Sequence, residues 1–121
     1  MPKKILVIDD YEHIRSLYSE ELSEEGYDVV TRDSPKGILD LIVREKPDLV
    51  VLDIKMVDYN GLDALHDIKD KHHNLPVILC TAYGGFKEDM KSIAADHFVI
   101  KSFDLTELKG KIARSLAEVV S

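Results

Sequence analysis

The feature that most constrains this chain is a strict alternation of short apolar runs with amphipathic stretches. "KILVI" (4–8), "LVVL" (49–52), "PVILC" (76–80) and "HFVI" (97–100) are short, continuous and β-branched. Strands that are apolar at every position are covered on both faces, as in a parallel sheet held between helices. "YDVVT" (27–31) is more mixed, which places it toward an edge. Between the runs the apolar period lengthens to that of a helix. Ile14, Leu17, Tyr18 and Leu22 share one face, and Gly26 supplies the stop. Ser34-Pro35 reads as a capped start with proline at the first helical position, and Ile38, Leu41 and Ile42 form the stripe that follows. Leu62, Leu65 and Ile68 mark a third helix, and Phe86, Met90 and Ile93 a fourth. Asp104 with Glu107 resembles a capping box opening the last helix, whose face is Leu105, Leu108, Ile112 and Leu116. Five strand–helix units in alternation predict a doubly wound α/β fold with right-handed crossovers. No repeat, low-complexity segment or linker interrupts the pattern, so a single domain over residues 1–121 is expected, with no output domain in this chain.

Charge and hydropathy narrow the function. Sixteen basic against 23 acidic side chains give a net charge of −7. That argues against direct nucleic-acid binding, which needs a basic face to displace counterions. No apolar stretch approaches the ~18 residues needed to cross a bilayer. The apolar run after Met1-Pro2-Lys3-Lys4 is too short for a signal peptide, so a cytoplasmic location without a membrane partner is expected. The lone Cys80 reads as a small buried hydrophobe, with a reactive thiol as the second reading.

The chemistry collects at the strands' carboxyl ends, where open α/β sheets bind their ligands. Asp9 and Asp10 follow the first run, Asp53 the third, Thr81 the fourth and Lys101 the last. Taken singly, each has a plain structural explanation: Asp10 as a cap for the first helix, Thr81 or Lys101 as ordinary surface. Jointly they bring three carboxylates, a hydroxyl and an ammonium to one crevice. Three carboxylates repel one another unless positive charge joins them. Lys101 offsets one charge, and Mg²⁺ suits a site with a few carboxylates and open water positions. A metal facing one exposed carboxylate makes that group a nucleophile toward phosphorus.

The segments "ILVIDD", "KPDLVVLDIKM", "NGL", "LPVILCTAYG" and "FVIKSFDLTEL" together give the chain its resemblance. Over essentially its whole length it resembles the receiver domain of bacterial two-component and phosphorelay response regulators. The resemblance implies a flavodoxin-like, five-stranded parallel sheet in the order 2-1-3-4-5 with five helices. It implies Asp53 as the phosphoacceptor, served by a sensor histidine kinase or a histidine phosphotransfer protein. Asp10 would ligate Mg²⁺ directly, Asp9 largely through water, and the backbone carbonyl of Lys55 would complete the protein's share. Thr81 would contact the phosphoryl group, and Lys101 would pair with Asp53 and later with the phosphate. In the switch that the family implies, Thr81 moves toward the phosphoryl group and Phe98 fills the space behind it. Phe98 has no hydroxyl, so packing alone would drive its rotation; the alternative is a static core ring. The responding surface would lie between the fourth helix, last strand and last helix, binding a downstream protein or supporting a phosphorylation-dependent dimer. The resemblance also implies that Lys55 and Tyr83 would tune water's access to the acyl phosphate. Such a chain is no enzyme beyond its own phosphoryl transfer and autodephosphorylation.

Several residues depart from the family pattern. Met56-Val57 stands where Met-Pro is usual, and the loop continues Asp58-Tyr59-Asn60-Gly61. Ala94 replaces a frequent glycine, and Ser102 replaces a proline that usually follows a cis bond. A cis bond costs about 0.5–1 kcal/mol before proline but roughly 2.5–4 kcal/mol elsewhere. His13, His66, His72, His73 and His97 lack a convincing metal spacing, although His13 lies close in sequence to Asp10. Two rivals follow. A phosphatase of the haloacid dehalogenase type would want a second aspartate two residues after the nucleophile, where Lys55 stands, and a cap domain. A pseudo-receiver would bind partners without phosphorylation; the intact acid, hydroxyl and lysine set argues against it.

Overall fold

The computed structural model describes residues 2–53, 61–81, 97–100 and 104–119. In chain order these form β1 (Lys4–Ile8), α1 (Glu12–Glu24), β2 (Asp28–Arg32), α2 (Ile38–Glu45), β3 (Leu49–Asp53), α3 (Gly61–Lys71), β4 (Val77–Thr81), β5 (His97–Ile100) and a C-terminal helix (Thr106–Val119). The strands pair in parallel as one sheet, β2-β1-β3-β4-β5. β2, the mixed run, is an edge strand with its ends exposed, whereas all five residues of β3 are buried.

Alternation along each strand sends successive side chains to opposite faces, and both faces are covered. Leu6, Ile8, Val50, Leu52, Val77 and Leu79 pack against α2 and α3. Ile5, Val7, Leu49, Val51, Ile78, Cys80 and Val99 pack against α1 and the C-terminal helix. The helical stripes read from the sequence are the buried ones: Tyr18 and Leu22, then Ile38, Leu41 and Ile42, then Leu65 and Ile68, then Leu105, Leu108, Ile112 and Leu116.

α1 stops as its glycine requires. Gly26 has φ +94°, its N–H donates to the Ser23 carbonyl (3.0 Å), and the Tyr27 N–H donates to the Leu22 carbonyl (3.3 Å). This paired arrangement satisfies two terminal carbonyls, and Tyr27 and Leu22 lie in the same apolar cluster.

The start of α2 corrects the sequence reading. Ser34-Pro35 does not open the helix; α2 begins at Ile38, after Gly37 in the left-handed region at φ +69°. The Ser34 hydroxyl does accept the Lys36 N–H (3.3 Å), and the Ile38 N–H donates to the Pro35 carbonyl (2.9 Å), so the segment is a turn. A helix cannot run through a positive φ, and Gly37 adopts one without steric cost. β2 and β4 each lie one residue later than the runs suggested, and β3 extends to Asp53. Asp104 bonds the residue two ahead: its Oδ1 accepts from both the Thr106 N–H (3.0 Å) and the Thr106 hydroxyl (2.6 Å). These bonds hold the Asp104 carboxyl below the usual aspartate range. The expected fourth helix falls outside the described residues.

Candidate metal and phosphoryl site

Strand register brings the acids together. Ile8 of β1 is level with Leu52 of β3, so the next residue in each strand direction, Asp9 and Asp53, stand side by side. Asp53 is in turn level with Cys80, and Thr81 with Ile100. Carboxylate oxygens of Asp9, Asp10 and Asp53 all lie within 4.8 Å of one another. Asp9 and Asp53 are almost wholly buried, at 2% and 3% exposure, while Asp10 is half-buried. Oxygens around a Mg²⁺ ion at ~2.1 Å sit up to about 4.2 Å apart, so this trio fits one hard cation after a small contraction. Low surrounding dielectric raises the electrostatic demand for such a charge.

The turn carrying the acid pair is held locally. The Asp9 N–H donates to the Arg32 carbonyl (3.2 Å), which extends the β1–β2 pairing by one step. Asp9 Oδ1 accepts the Tyr11 N–H (2.9 Å). Asp10 therefore does not take the role of helix cap; α1 starts from Tyr11 without a side-chain cap bond. Arg15, one turn into α1, donates from Nη1 to the Asp9 carbonyl (2.8 Å). Sequence reading passed over Arg15, because a side chain that bonds a main-chain carbonyl leaves no motif.

A second contact was also missed. Tyr18 is buried on the face shared by Val7, Val51 and Cys80, with its phenol beside the Cys80 thiol. Burial is the largest cause that pushes the Tyr18 phenol far above its ordinary range, followed by electrostatic coupling to Cys80 and to Asp9, with a smaller part from Asp53. The sequence showed only an apolar stripe there, since helical spacing cannot reveal a polar contact made across elements.

Of the remaining site residues, Thr81 ends β4 and Phe98 lies within β5, both as backbone. Lys55, Tyr83 and Lys101 lie outside the described residues, as do residues 56–60, Ala94 and the Lys101–Ser102 bond. Among the described residues, Asp9, Asp10 and Asp53 are the one group of acidic, histidine or cysteine side chains close enough to share an ion. No helix among them is long and apolar enough to cross a membrane.

Fold and site define an open parallel α/β domain with three carboxylates clustered at the carboxyl edge of its central strands. The family model of the response regulator receiver domain matches residues 5–113, and the chain belongs to that family. It is 34% identical over 118 residues to sporulation initiation phosphotransferase F of Bacillus subtilis, covering 96% of this chain and 95% of that protein. Other curated relatives are longer, and the chain spans only 24% to 49% of several of them. Among solved structures, it is similar to response regulator TrrA of Thermotoga maritima in complex with Mg²⁺-BeF: TM-score 0.87, 42% identity, 93% of this chain and 98% of that one. The same regulator in complex with histidine kinase ThkA matches with TM-score 0.84 and 41% identity, over 98% of this chain and 99% of that one. The protein is thus a two-component response regulator receiver domain.

Proposed function

We propose that Asp53 accepts a phosphoryl group from a histidine kinase or histidine phosphotransfer protein, with Mg²⁺ held by Asp9, Asp10, Asp53 and the backbone carbonyl of Lys55. The observation that carries this reading is the convergence of three carboxylates within 4.8 Å, with Asp53 at the end of a strand buried at all five residues. Kinase and Mg²⁺-BeF complexes of similar regulators support it. Bound there, Mg²⁺ would neutralise the charge that three acids and a phosphoryl group accumulate. Asp53 Oδ attacks phosphorus, a new P–O bond forms, and the P–N bond to the donor histidine breaks. The freed imidazole takes a proton. Thr81 and Lys101 bind phosphoryl oxygens, Lys101 having paired with Asp53 beforehand. Phe98 then follows Thr81 inward, and bulky Tyr83 with Lys55 limits water at the acyl phosphate. The phosphorylated form signals through a protein-binding surface, by a downstream partner or by a second copy.

The test is intact-mass analysis after treatment with acetyl phosphate. A Mg²⁺-dependent gain of one phosphoryl group on the wild type, absent in Asp53→Asn, is expected. No gain in the wild type, or the same gain in the variant, overturns the proposal, and turnover of a generic phosphomonoester would point to a phosphatase instead.

A further inference from the structure

We infer that Arg15 is a positioning residue that sets the direction of the metal-ligating carboxylate of Asp10. The inference rests on the reading of Asp9, Asp10 and Asp53 as a Mg²⁺ centre. Two peptide planes flank the Asp10 Cα, and each is anchored. The plane between Asp9 and Asp10 is held through its carbonyl, which accepts from Arg15 Nη1 at 2.8 Å. The plane between Asp10 and Tyr11 is held through its N–H, which donates to Asp9 Oδ1 at 2.9 Å. A third anchor lies one step on, where the Arg15 N–H donates to the Tyr11 carbonyl at 3.1 Å. Arg15 therefore grips the turn at both ends, with its side chain before Asp10 and its main chain after it.

With both flanking planes fixed, Asp10 retains only its own side-chain torsions, and its Cα–Cβ bond points one way. Mg²⁺ demands near-ideal octahedral geometry, so a ligand whose backbone wanders loses affinity. Groups that orient metal ligands from behind typically change affinity 10–100-fold when removed. The guanidinium suits this task because its planar fork holds a fixed direction, which a lysine ammonium lacks.

Charge and position predict opposite signs for the loss of Arg15. Arg15 is a cation close to a cation site, so as a charge alone its removal tightens Mg²⁺ binding. As a positioning residue, its removal weakens binding. Calorimetric titration of Mg²⁺ into wild type, Arg15→Gln and Arg15→Lys separates the two, with urea unfolding of each metal-free protein alongside. About 10-fold weaker binding is expected for Arg15→Gln, with Arg15→Lys in between. Unchanged or tighter binding in Arg15→Gln overturns the inference, as does a loss of stability without any change in Mg²⁺ affinity. If Arg15→Gln does not fold, Arg15→Lys decides: it retains the charge and loses the fork, and wild-type affinity there overturns the inference. A wild type that binds no Mg²⁺ overturns the reading of the site itself, and the inference with it.

Discussion

Replacing Asp10 with asparagine is expected to stabilise the metal-free protein while removing most of the stability that Mg²⁺ confers. The substitution keeps shape and deletes one of three charges whose oxygens lie within 4.8 Å. At that distance one carboxylate pair repels by ~0.9 kcal/mol at the dielectric of water and by ~3.5 kcal/mol at an effective dielectric of about 20. Asp10 faces two such neighbours, both buried, but is itself half-buried, so solvent screens part of the repulsion. Favourable bonds made by the charged carboxylate are also weakened in the amide. A net gain of about 2 kcal/mol remains, or about 8 °C in Tm at roughly 4 °C per kcal/mol for a domain of this size. Free Mg²⁺ at about 100 times Kd adds about 2.7 kcal/mol to the wild type, and little to a variant short of a ligand. Urea unfolding of both proteins in chelator and in Mg²⁺ gives the four stabilities needed. The variant is expected to lead in chelator, and the gap to close or reverse in Mg²⁺. A variant less stable than wild type in chelator, with an equal Mg²⁺ gain in both, would rule out both the repulsion and the ligand role of Asp10.

Two further perturbations read other parts of the structure. Tyr18 keeps its proton in the folded state at pH values where the unfolded chain, titrating near 10.0, has released it. The stability this contributes is fully present below pH 10 and falls above it by up to ~1.4 kcal/mol per pH unit. Alkaline urea titrations are expected to show a shallower decline for Tyr18→Phe, and parallel curves would count against a neutral buried phenol. Gly26→Ala places a Cβ in open space but at φ +94°. The strain costs about 1–2 kcal/mol, visible as a lowered unfolding midpoint with unchanged m-value.

Much of this architecture was legible because parallel sheets write themselves into sequence. A strand buried on both faces must be apolar throughout, and β1, β3, β4 and β5 fall within one residue of the runs that announced them. The edge position of β2 was legible for the complementary reason: with one neighbour and exposed ends, it tolerates Asp28 and Arg32. The acid trio was legible because register at the carboxyl edge follows from strand ends alone. What the sequence concealed was set by contacts without a period. Gly37 outweighed the Ser34-Pro35 start signal through a backbone conformation that spacing does not encode. The bond from Arg15 to the Asp9 carbonyl and the Tyr18–Cys80 pair join elements whose juxtaposition exists only after folding.

In the proposed function one carboxylate, Asp53, carries the phosphoryl group. The most direct measurement is borohydride reduction of the protein after acetyl phosphate and Mg²⁺, followed by peptide mapping. An acyl phosphate is reduced where a free carboxylate is not, so the modified aspartate is marked as homoserine. Homoserine is expected at residue 53, dependent on Mg²⁺ and absent when chelator replaces it. Homoserine at residue 9 or 10 instead, or none anywhere, would contradict it.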